Sequence, residues 1–300
     1  MLNNKSIYVA SLAIGATLFA ALMASSVKYL SEDMNSIIIC FYRCLAGLII
    51  LSPFMIRNNY EAFKSQNIKL QIIRSLINII SMICWFTAIG MMQLEKATAL
   101  GFTTPLFTTI LAVFLLGEVI RFHRTAALIL GFFGIIIIIR PGYLPLEFGT
   151  ILMLIASFSF SFVLIFVKKL SAIDSSKTII FYHLLFMTPV FFVLSLFFWE
   201  NINFNQLCVF AFMGASGLIS HWCLTQALRL SDTTFVMPLQ FTKLIWASLI
   251  GFFIFYEQPD FWTWIGGLII FISVVYITYR ESFRKKGTDK PVQADRIIIN

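Results

Sequence analysis

The sequence of 300 residues is poor in charge: Asp, Glu, Lys and Arg together make up only 12% of it. A soluble globular domain carries about 25% charged residues. Half that share cannot cover the surface of a 34.2 kDa globule, so a water-soluble fold is excluded. Hydrophobic residues make up 59% of the chain and include 33 phenylalanines. Most of the surface must therefore face lipid, which predicts an integral membrane protein.

Residues that serve metal, redox or catalytic chemistry are also scarce. The sequence has three histidines and five cysteines, and every cysteine lies within an apolar run, which favours neither a disulfide framework nor a metal site. No G-x-x-x-x-G-K-[ST], H-E-x-x-H or G-x-S-x-G motif is present, and no pair of acidic residues lies inside an apolar run. We therefore predict no metal, no cofactor, no enzymatic activity and no nucleic-acid partner.

Ten mostly apolar runs are long enough for transmembrane helices, because about 20 residues cross the hydrocarbon of a bilayer. They lie at residues 7–27, 36–56, 70–92, 97–117, 123–139, 148–168, 177–198, 206–227, 234–256 and 261–279. The connections between them are short, so no loop holds a soluble domain. The predicted fold class is an all-α integral membrane protein with ten transmembrane helices.

Basic residues are distributed unequally between the two sides of these helices. With the N-terminus placed in the cytoplasm, 17 Lys and Arg residues fall on the inner side and three, Lys28, Lys96 and Arg140, on the outer side. This bias predicts a multi-pass protein of the inner (plasma) membrane with both termini in the cytoplasm. Arg74, near the cytoplasmic start of the third helix, is interpreted as an interface anchor.

The chain also repeats itself. The segment "VKYLSEDMNSIIICFYRCL" at 27–45 aligns without gaps on "VKKLSAIDSSKTIIFYHLL" at 167–185, which pairs Arg43 with His183. Because each copy has five helices and five is odd, the second copy must be inserted upside down. The pattern predicts a 5+5 inverted-topology repeat, an architecture typical of secondary transporters, in which the substrate site lies between the halves.

Further matches extend the repeat. Trp85 in "WFTAIGMMQL" matches Trp222 in "WCLTQALRLS", and "PLFTTILAVFLLGE" ending at Glu118 matches "LIWASLIGFFIFYE" ending at Glu257. The two glutamates are either ordinary helix-end acids with basic partners or gating residues. The predicted divisions are a first repeat at 7–139, a second repeat at 148–279 and a cytoplasmic basic tail at 280–300.

Four segments together resemble the ten-helix, EamA-type branch of the drug/metabolite transporter superfamily. They are "FYRCLAGLIILSPF" in the second helix, "TALGFTTPLFTTILAVFLLGE" at 98–118, "GFFGIIIIIRPG" at 131–142 and "VMPLQFTKLIWASLIGFFIFYE" at 236–257. The resemblance implies a secondary carrier, and it is strongest to the branch with S-adenosylmethionine uptake carriers. The chain departs from that branch at Lys243, near where the resemblance implies a glutamate.

Two charges lie deep within the apolar runs. Arg43 is about seven residues into the second helix, ~10 Å deep, and Lys243 is about nine residues into the ninth, ~13 Å deep and close to the midplane. A charge at that depth is costly, so Lys243 is predicted to face a cavity. Arg43 either lines the same cavity or extends to the interface. His183 and His221 either line the cavity or are hydrogen-bonded packing residues.

Two prolines, Pro105 and Pro238, interrupt matched helices of the two copies. Each frees a backbone carbonyl, which is tolerated only where protein or a wet cavity satisfies it, and matched breaks of this kind indicate a transport site. Polar groups beside the breaks and two tryptophans, which either wall the site or pack elsewhere, complete the predicted substrate site: Thr103, Thr104, Gln240, Trp85 and Trp222.

Arg43 and Lys243 are both positive, and the sequence places no acidic residue at comparable depth. A substrate that carries a carboxylate or phosphate compensates these charges. We therefore predict a secondary transporter that moves a zwitterionic or anionic metabolite, such as an amino acid or an S-adenosylmethionine-like compound, by alternating access. The alternative is a membrane-embedded enzyme or a lipid flippase-like protein. The predicted partners are the small-molecule substrate and membrane lipid, and the oligomeric state stays open between monomer and homodimer.

Overall fold

The computed structural model describes residues 4–57, 65–116, 122–140, 147–170, 173–230, 239–240, 242–258 and 260–287. Glu118, Pro238 and residues 288–300 of the predicted tail lie outside these ranges. The described part of the chain contains α-helices, one short 3-10 turn at Leu196–Phe198 and no strands. The helices are α1 (Asn4–Leu30), α2 (Ser36–Arg57), α3 (Ile68–Met91), α4 (Leu94–Gly101), α5 (Thr104–Leu116), α6 (Phe122–Ile139), α7 (Phe148–Leu170), α8 (Ser176–Ser195), α9 (Phe204–Leu230), α10 (Thr242–Phe255) and α11 (Phe261–Gly287).

The predicted all-α membrane fold with ten spans is confirmed, and one span is divided. The fourth span consists of α4 and α5, which are separated at Phe102 and Thr103. Six helices, α1, α2, α3, α7, α8 and α9, are long and apolar enough to cross a bilayer. Shorter apolar helical stretches at 129–139, 242–255 and 261–273 belong to three of the remaining spans. The chain is a multi-pass membrane protein.

Helix packing has the symmetry of two exchanged copies. Helix α1 packs on α9, and the counterpart of α1 in the second copy, α7, packs on α3, the counterpart of α9. Helices α2 and α8 pack on each other, as do α6 and α11, so that each of these four helices contacts its own counterpart. The contact of α1 with α10 is matched by that of α7 with α5. This pattern agrees with the predicted 5+5 inverted repeat.

Local signals for helix starts also recur at equivalent positions. Asn35 precedes α2, and its side-chain carbonyl accepts a hydrogen bond from the backbone N–H of Ile37 at 2.9 Å. Ser175, its counterpart in the repeat alignment, precedes α8 and accepts from the N–H of Thr178 at 3.2 Å. Such residues satisfy backbone donors that the first turn of a helix leaves free. The two copies therefore begin their second helices in the same way.

Two glycines allow α6 and α11 to approach each other closely. A Cβ atom built on Gly134 lies 2.7 Å from the carbonyl oxygen of Gly266 and 2.6 Å from a side-chain carbon of Ile270. A Cβ atom on Gly266 lies 2.6 Å from the carbonyl oxygen of Gly134. Small residues at a crossing allow membrane helices to pack backbone against backbone. This crossing joins the last helix of each repeat.

Replacing Gly134 or Gly266 by alanine is expected to destabilise the protein by about 1–3 kcal/mol, the usual range for overpacking. The added carbon meets a backbone oxygen, which cannot rotate away, so the helices must separate. This cost outweighs the gain in helix propensity of about 1 kcal/mol. The measurement is thermal unfolding of the purified protein in detergent. Gly15→Ala is the matched control, because no heavy atom lies within 4 Å of its Cβ position. Equal midpoints for all three variants are not compatible with the close crossing.

Candidate functional site

Four basic side chains meet inside the helix bundle, and together they are named here the basic cluster. They are Arg43 on α2, His183 on α8, His221 on α9 and Lys243 on α10. Arg43 and Lys243 lie within electrostatic range of His221, and Arg74, Arg43 and His221 lie within electrostatic range of His183. The structure therefore brings together four sequence candidates that come from both repeats.

The guanidinium of Arg43 contacts two thioether sulfurs. Its Nη1 atom lies 3.7 Å from Sδ of Met82 on α3, and its Nη2 atom lies 3.9 Å from Sδ of Met23 on α1. Thioether sulfur is a weak acceptor, so these contacts satisfy the five donors of an arginine poorly. In the described part of the chain, no carboxylate lies within ion-pair distance of Arg43 or Lys243.

Lys243 belongs to the first turn of α10. Its Nζ atom lies 6.0 Å from the ring centroid of Trp85 on α3, within the range of a cation–π interaction. Because Trp85 belongs to the first repeat and Lys243 to the second, this contact joins the two halves of the protein. Trp85, a predicted wall of the site, is therefore placed against the basic cluster.

The break in the fourth span frees backbone and side-chain polar groups within the protein. Helix α5 starts at Thr104, and Pro105 is its second residue, where a missing backbone N–H is well tolerated. The carbonyl oxygen of Thr104 accepts a hydrogen bond from the hydroxyl of Ser161 on α7 at 3.0 Å. Thr103 is fully buried, and its hydroxyl has no partner among the described residues. The break therefore leaves the Thr103 hydroxyl free to form a hydrogen bond with a bound molecule.

The ninth span has a corresponding helix start. Helix α10 begins at Thr242, whose hydroxyl lies 2.7 Å from the hydroxyl of Thr17 on α1. The side-chain nitrogen of Gln240 is buried and has no partner within the described ranges. The N-terminus of a helix carries a partial positive charge, and here Lys243 adds a full one. Both half-helices thus begin at positions that attract negative charge.

Trp222 is not brought to the basic cluster. Its side chain is 56% exposed, and it shares the exposed face of α9 with Phe212 and Ile219. The equivalence between Trp85 and Trp222 in the repeat alignment therefore does not extend to their surroundings, and the place of Trp222 in the substrate site stays a prediction.

Helix α3 carries a line of polar residues, Gln71, Arg74 and Asn78, of which Gln71 and Asn78 were not predicted from the sequence. Arg74 is only 4% exposed, and its guanidinium donates to the carbonyl oxygen of Ile179 on α8 at 3.0 Å. Its interpretation as an interface anchor is wrong, because α8 packs over this face of α3. The side-chain nitrogen of Asn78 lies 3.4 Å from each ring nitrogen of His183. The spacing of three and four residues places these side chains on one helix face, and this signal was available in the sequence.

Asp174, in the connection between α7 and α8, lies at one end of this polar line. Its carboxylate accepts hydrogen bonds from the Ser65 hydroxyl, the Gln66 backbone N–H and the Gln71 side chain. Burial alone raises the pKa of Asp174, but these three hydrogen bonds outweigh it and hold the pKa below its usual value. The ionised carboxylate therefore links the second repeat to the first at what is named here the Asp174 end.

The opposite end of the bundle, named here the Lys28 end, is rich in ion pairs. A cavity of about 640 Å³ opens among them. The pairs are Lys28 with Glu257, Lys96 with Glu147 at 2.9 Å, and Arg140 with Asp260 at 2.7 Å. Glu257 therefore has a basic partner, and a gating role for it stays open.

A helical membrane protein of ten spans in two inverted copies, with one divided span and basic side chains between its helices, is a transporter of small molecules by class. A model of the EamA-like transporter family matches residues 7–140 and 147–279. The chain therefore belongs to that family. The predicted resemblance to the drug/metabolite transporter superfamily is confirmed, as is the prediction that the protein is not an enzyme.

Individual relatives differ in their named substrates and directions. The chain is 28% identical to the S-adenosylmethionine uptake transporter of Rickettsia bellii over 293 residues, which cover 96% of this chain and 100% of the relative. It is 28% identical to the riboflavin transporter of Vibrio cholerae over 280 residues, covering 90% and 93%. It is 23% identical to the pseudopaline exporter CntI of Pseudomonas aeruginosa over 281 residues, covering 92% and 96%.

A solved crystal structure superposes on the chain with a TM-score of 0.62 and 12% sequence identity, covering 95% of this chain and 100% of the other. At that identity the likeness concerns the fold alone.

Proposed function

We propose that the protein is a secondary carrier that moves a small metabolite with a carboxylate or phosphate group across the inner membrane by alternating access. One observation carries the proposal: Arg43 and Lys243 are half-buried on helices of different repeats, and no described carboxylate pairs with either. A buried charge without a counter-charge is costly. A negatively charged group on the substrate removes this cost only while the substrate is bound.

The surroundings of the two charges support the same substrate class. Arg74 adds a buried cation on the same face of α3 as Asn78, which contacts His183, and the helices that start at Thr104 and Thr242 add their positive ends. S-adenosylmethionine, the substrate named for one relative, carries a sulfonium and an ammonium beside its single carboxylate. A cavity with this charge favours an amino acid or an anionic metabolite over a compound with excess positive charge. On this proposal, the net charge of the substrate is the main determinant of which metabolites the carrier accepts.

The orientation belongs to the same proposal. Seventeen of the basic residues fall on one side and three on the other, which supports cytoplasmic termini, with the Lys28 end facing outward and the Asp174 end facing the cytoplasm. A reporter that is active only in the cytoplasm should therefore be active when it is fused after Arg280. Activity of a reporter that works only outside contradicts this orientation.

The purified protein reconstituted in liposomes tests the function directly. Amino acids, dicarboxylates and sugar phosphates are screened for saturable uptake and exchange, with S-adenosylmethionine and riboflavin included. For any substrate found, the free acid is then compared with its methyl ester, which has nearly the same shape and lacks the negative charge. We expect the acid to compete for uptake at least about tenfold better, as the loss of one charge-assisted hydrogen bond predicts. Equal competition by acid and ester refutes the proposed substrate class.

A further inference from the structure

Each of the three described ion pairs at the Lys28 end joins one repeat to the other when the repeats are taken as 7–140 and 147–279. The basic partners belong to the first repeat and the acidic partners to the second: Lys28 with Glu257, Lys96 with Glu147, and Arg140 with Asp260. At the Asp174 end, the contacts of Asp174 across the repeats are with neutral groups. The two repeats are therefore held together by charge at one end of the bundle, within the described part of the chain.

The pair of Lys28 and Glu257 is the most enclosed of the three. The two side chains are 13% and 12% exposed, whereas Glu147 is 45% exposed. Lys28 also donates to the carbonyl oxygen of Met92 at 2.6 Å, and Glu257 accepts from the backbone N–H of Leu94 at 2.9 Å. Met92 directly follows α3 and Leu94 is the first residue of α4, so this ion pair also fixes the connection that leads into the broken fourth span.

The backbone at the Lys28 end is shaped to present these charges. Arg140 and Tyr256 have φ angles of 50° and 54°, a left-handed conformation that is unfavourable for residues other than glycine. Tyr256 directly precedes Glu257. A Cβ atom on Gly251 lies 2.7 Å from Oε2 of Glu257, so the absence of a side chain at Gly251 leaves room for the carboxylate against α10. The left-handed backbone at Arg140 and Tyr256 and the absence of a side chain at Gly251 therefore both help to position the ion pairs.

We propose that these three ion pairs form the outer gate of the carrier and that the pair of Lys28 and Glu257 determines its stability. The gate rests on the proposed function, since a gate has a role only in a transport cycle. Separating the two repeats at this end breaks all three pairs at once. The pairs therefore stabilise only the conformation that is closed at the Lys28 end, and they shift the equilibrium toward it.

Spin-label distance measurements in liposomes test the gate without any substrate. One label pair replaces Met91 on α3 and Phe261 on α11, two exposed residues at the Lys28 end in different repeats. In Glu257→Gln, we expect the ratio of the longer-distance, open population to the closed one to rise by roughly tenfold to a hundredfold. That range corresponds to one charge-assisted hydrogen bond present in only one conformation.

Two further variants separate the gate from a general effect of charge. Glu147→Gln removes the same charge from the most exposed acid of the network, and we expect a much smaller shift because water screens that pair. Gly251→Ala keeps both charges of the deepest pair but displaces the Glu257 carboxylate, so it shifts the distances in the same direction as Glu257→Gln. Because Gly251→Ala retains all six charged residues of the three pairs, it still tests the gate if Glu257→Gln folds poorly.

Unchanged distances in Glu257→Gln, Gly251→Ala and the combined Lys28→Met/Glu257→Gln variant overturn the gate, as does an equal shift in Glu147→Gln. These outcomes are independent of the uptake experiment. A distance shift together with equal competition by acid and ester leaves the gate in place and refutes the proposed substrate class. Uptake by the parent together with unchanged distances in the variants refutes only the gate.

Discussion

Replacing Lys243 by methionine is expected to weaken the binding of an anionic substrate by roughly 10- to 150-fold, the loss of one charge-assisted hydrogen bond. Methionine keeps the length and the apolar stem of lysine while removing the charge. A charge at the centre of a bilayer costs at least ~2.5 kcal/mol on insertion scales. Removing it should therefore leave folding intact or improve it, and the contact with the Trp85 ring changes from cation–π to sulfur–aromatic packing.

Three further variants make this result specific to charge and position. Lys243→Arg should bind and transport better than Lys243→Met, because it retains the positive charge. Lys243→Glu should be worse, because it presents the wrong sign to an anion. Lys169→Met removes a charge from an exposed position of α7 and should behave like the parent. Binding and transport are measured in reconstituted vesicles at matched protein content. If Lys243→Met and Lys243→Glu both transport like the parent, the hypothesis of a positively charged substrate site is wrong.

The architecture was predictable because it leaves marks along the chain itself. A span needs about 20 apolar residues, and the second copy retains enough of the first for 27–45 to align with 167–185 without gaps. Arg43 and Lys243 were found for a similar reason, since a charge within an apolar run is rare. These features depend on local composition, which the sequence records directly.

Contacts that depend on packing between distant helices were not predictable in this way. Arg74 near a helix start has the sequence context of an interface anchor, and only the packing of α8 over α3 shows that it is buried. Trp222 matches Trp85 in the alignment, yet it occupies the exposed face of α9. The ion pair of Lys28 with Glu257 joins the first helix to the end of α10, and nothing near either residue indicates its partner.

Arg43→Met is expected to reduce binding of an anionic substrate by about 10- to 150-fold as well, for a reason that concerns its present partners. The guanidinium contacts the sulfurs of Met82 and Met23 at 3.7 and 3.9 Å, and it also interacts with the Cys44 thiol. A methionine at this position joins an existing group of thioethers, so packing is preserved. Arg43→Lys should restore part of the loss, because it retains the charge without the planar fork that binds a carboxylate through two hydrogen bonds.

The combination of Arg43→Met with Lys243→Met shows whether the two charges bind the same group. If both contact one carboxylate or phosphate, the loss in the double variant is smaller than the product of the two single losses, because the second substitution removes an interaction that the first has already weakened. If they bind separate anionic groups, the losses multiply. The measurement is equilibrium binding by the purified protein for all four members of the cycle. Parental binding by Arg43→Met, together with a normal loss in Lys243→Met, removes Arg43 from the site and leaves it with a packing role against the two methionines.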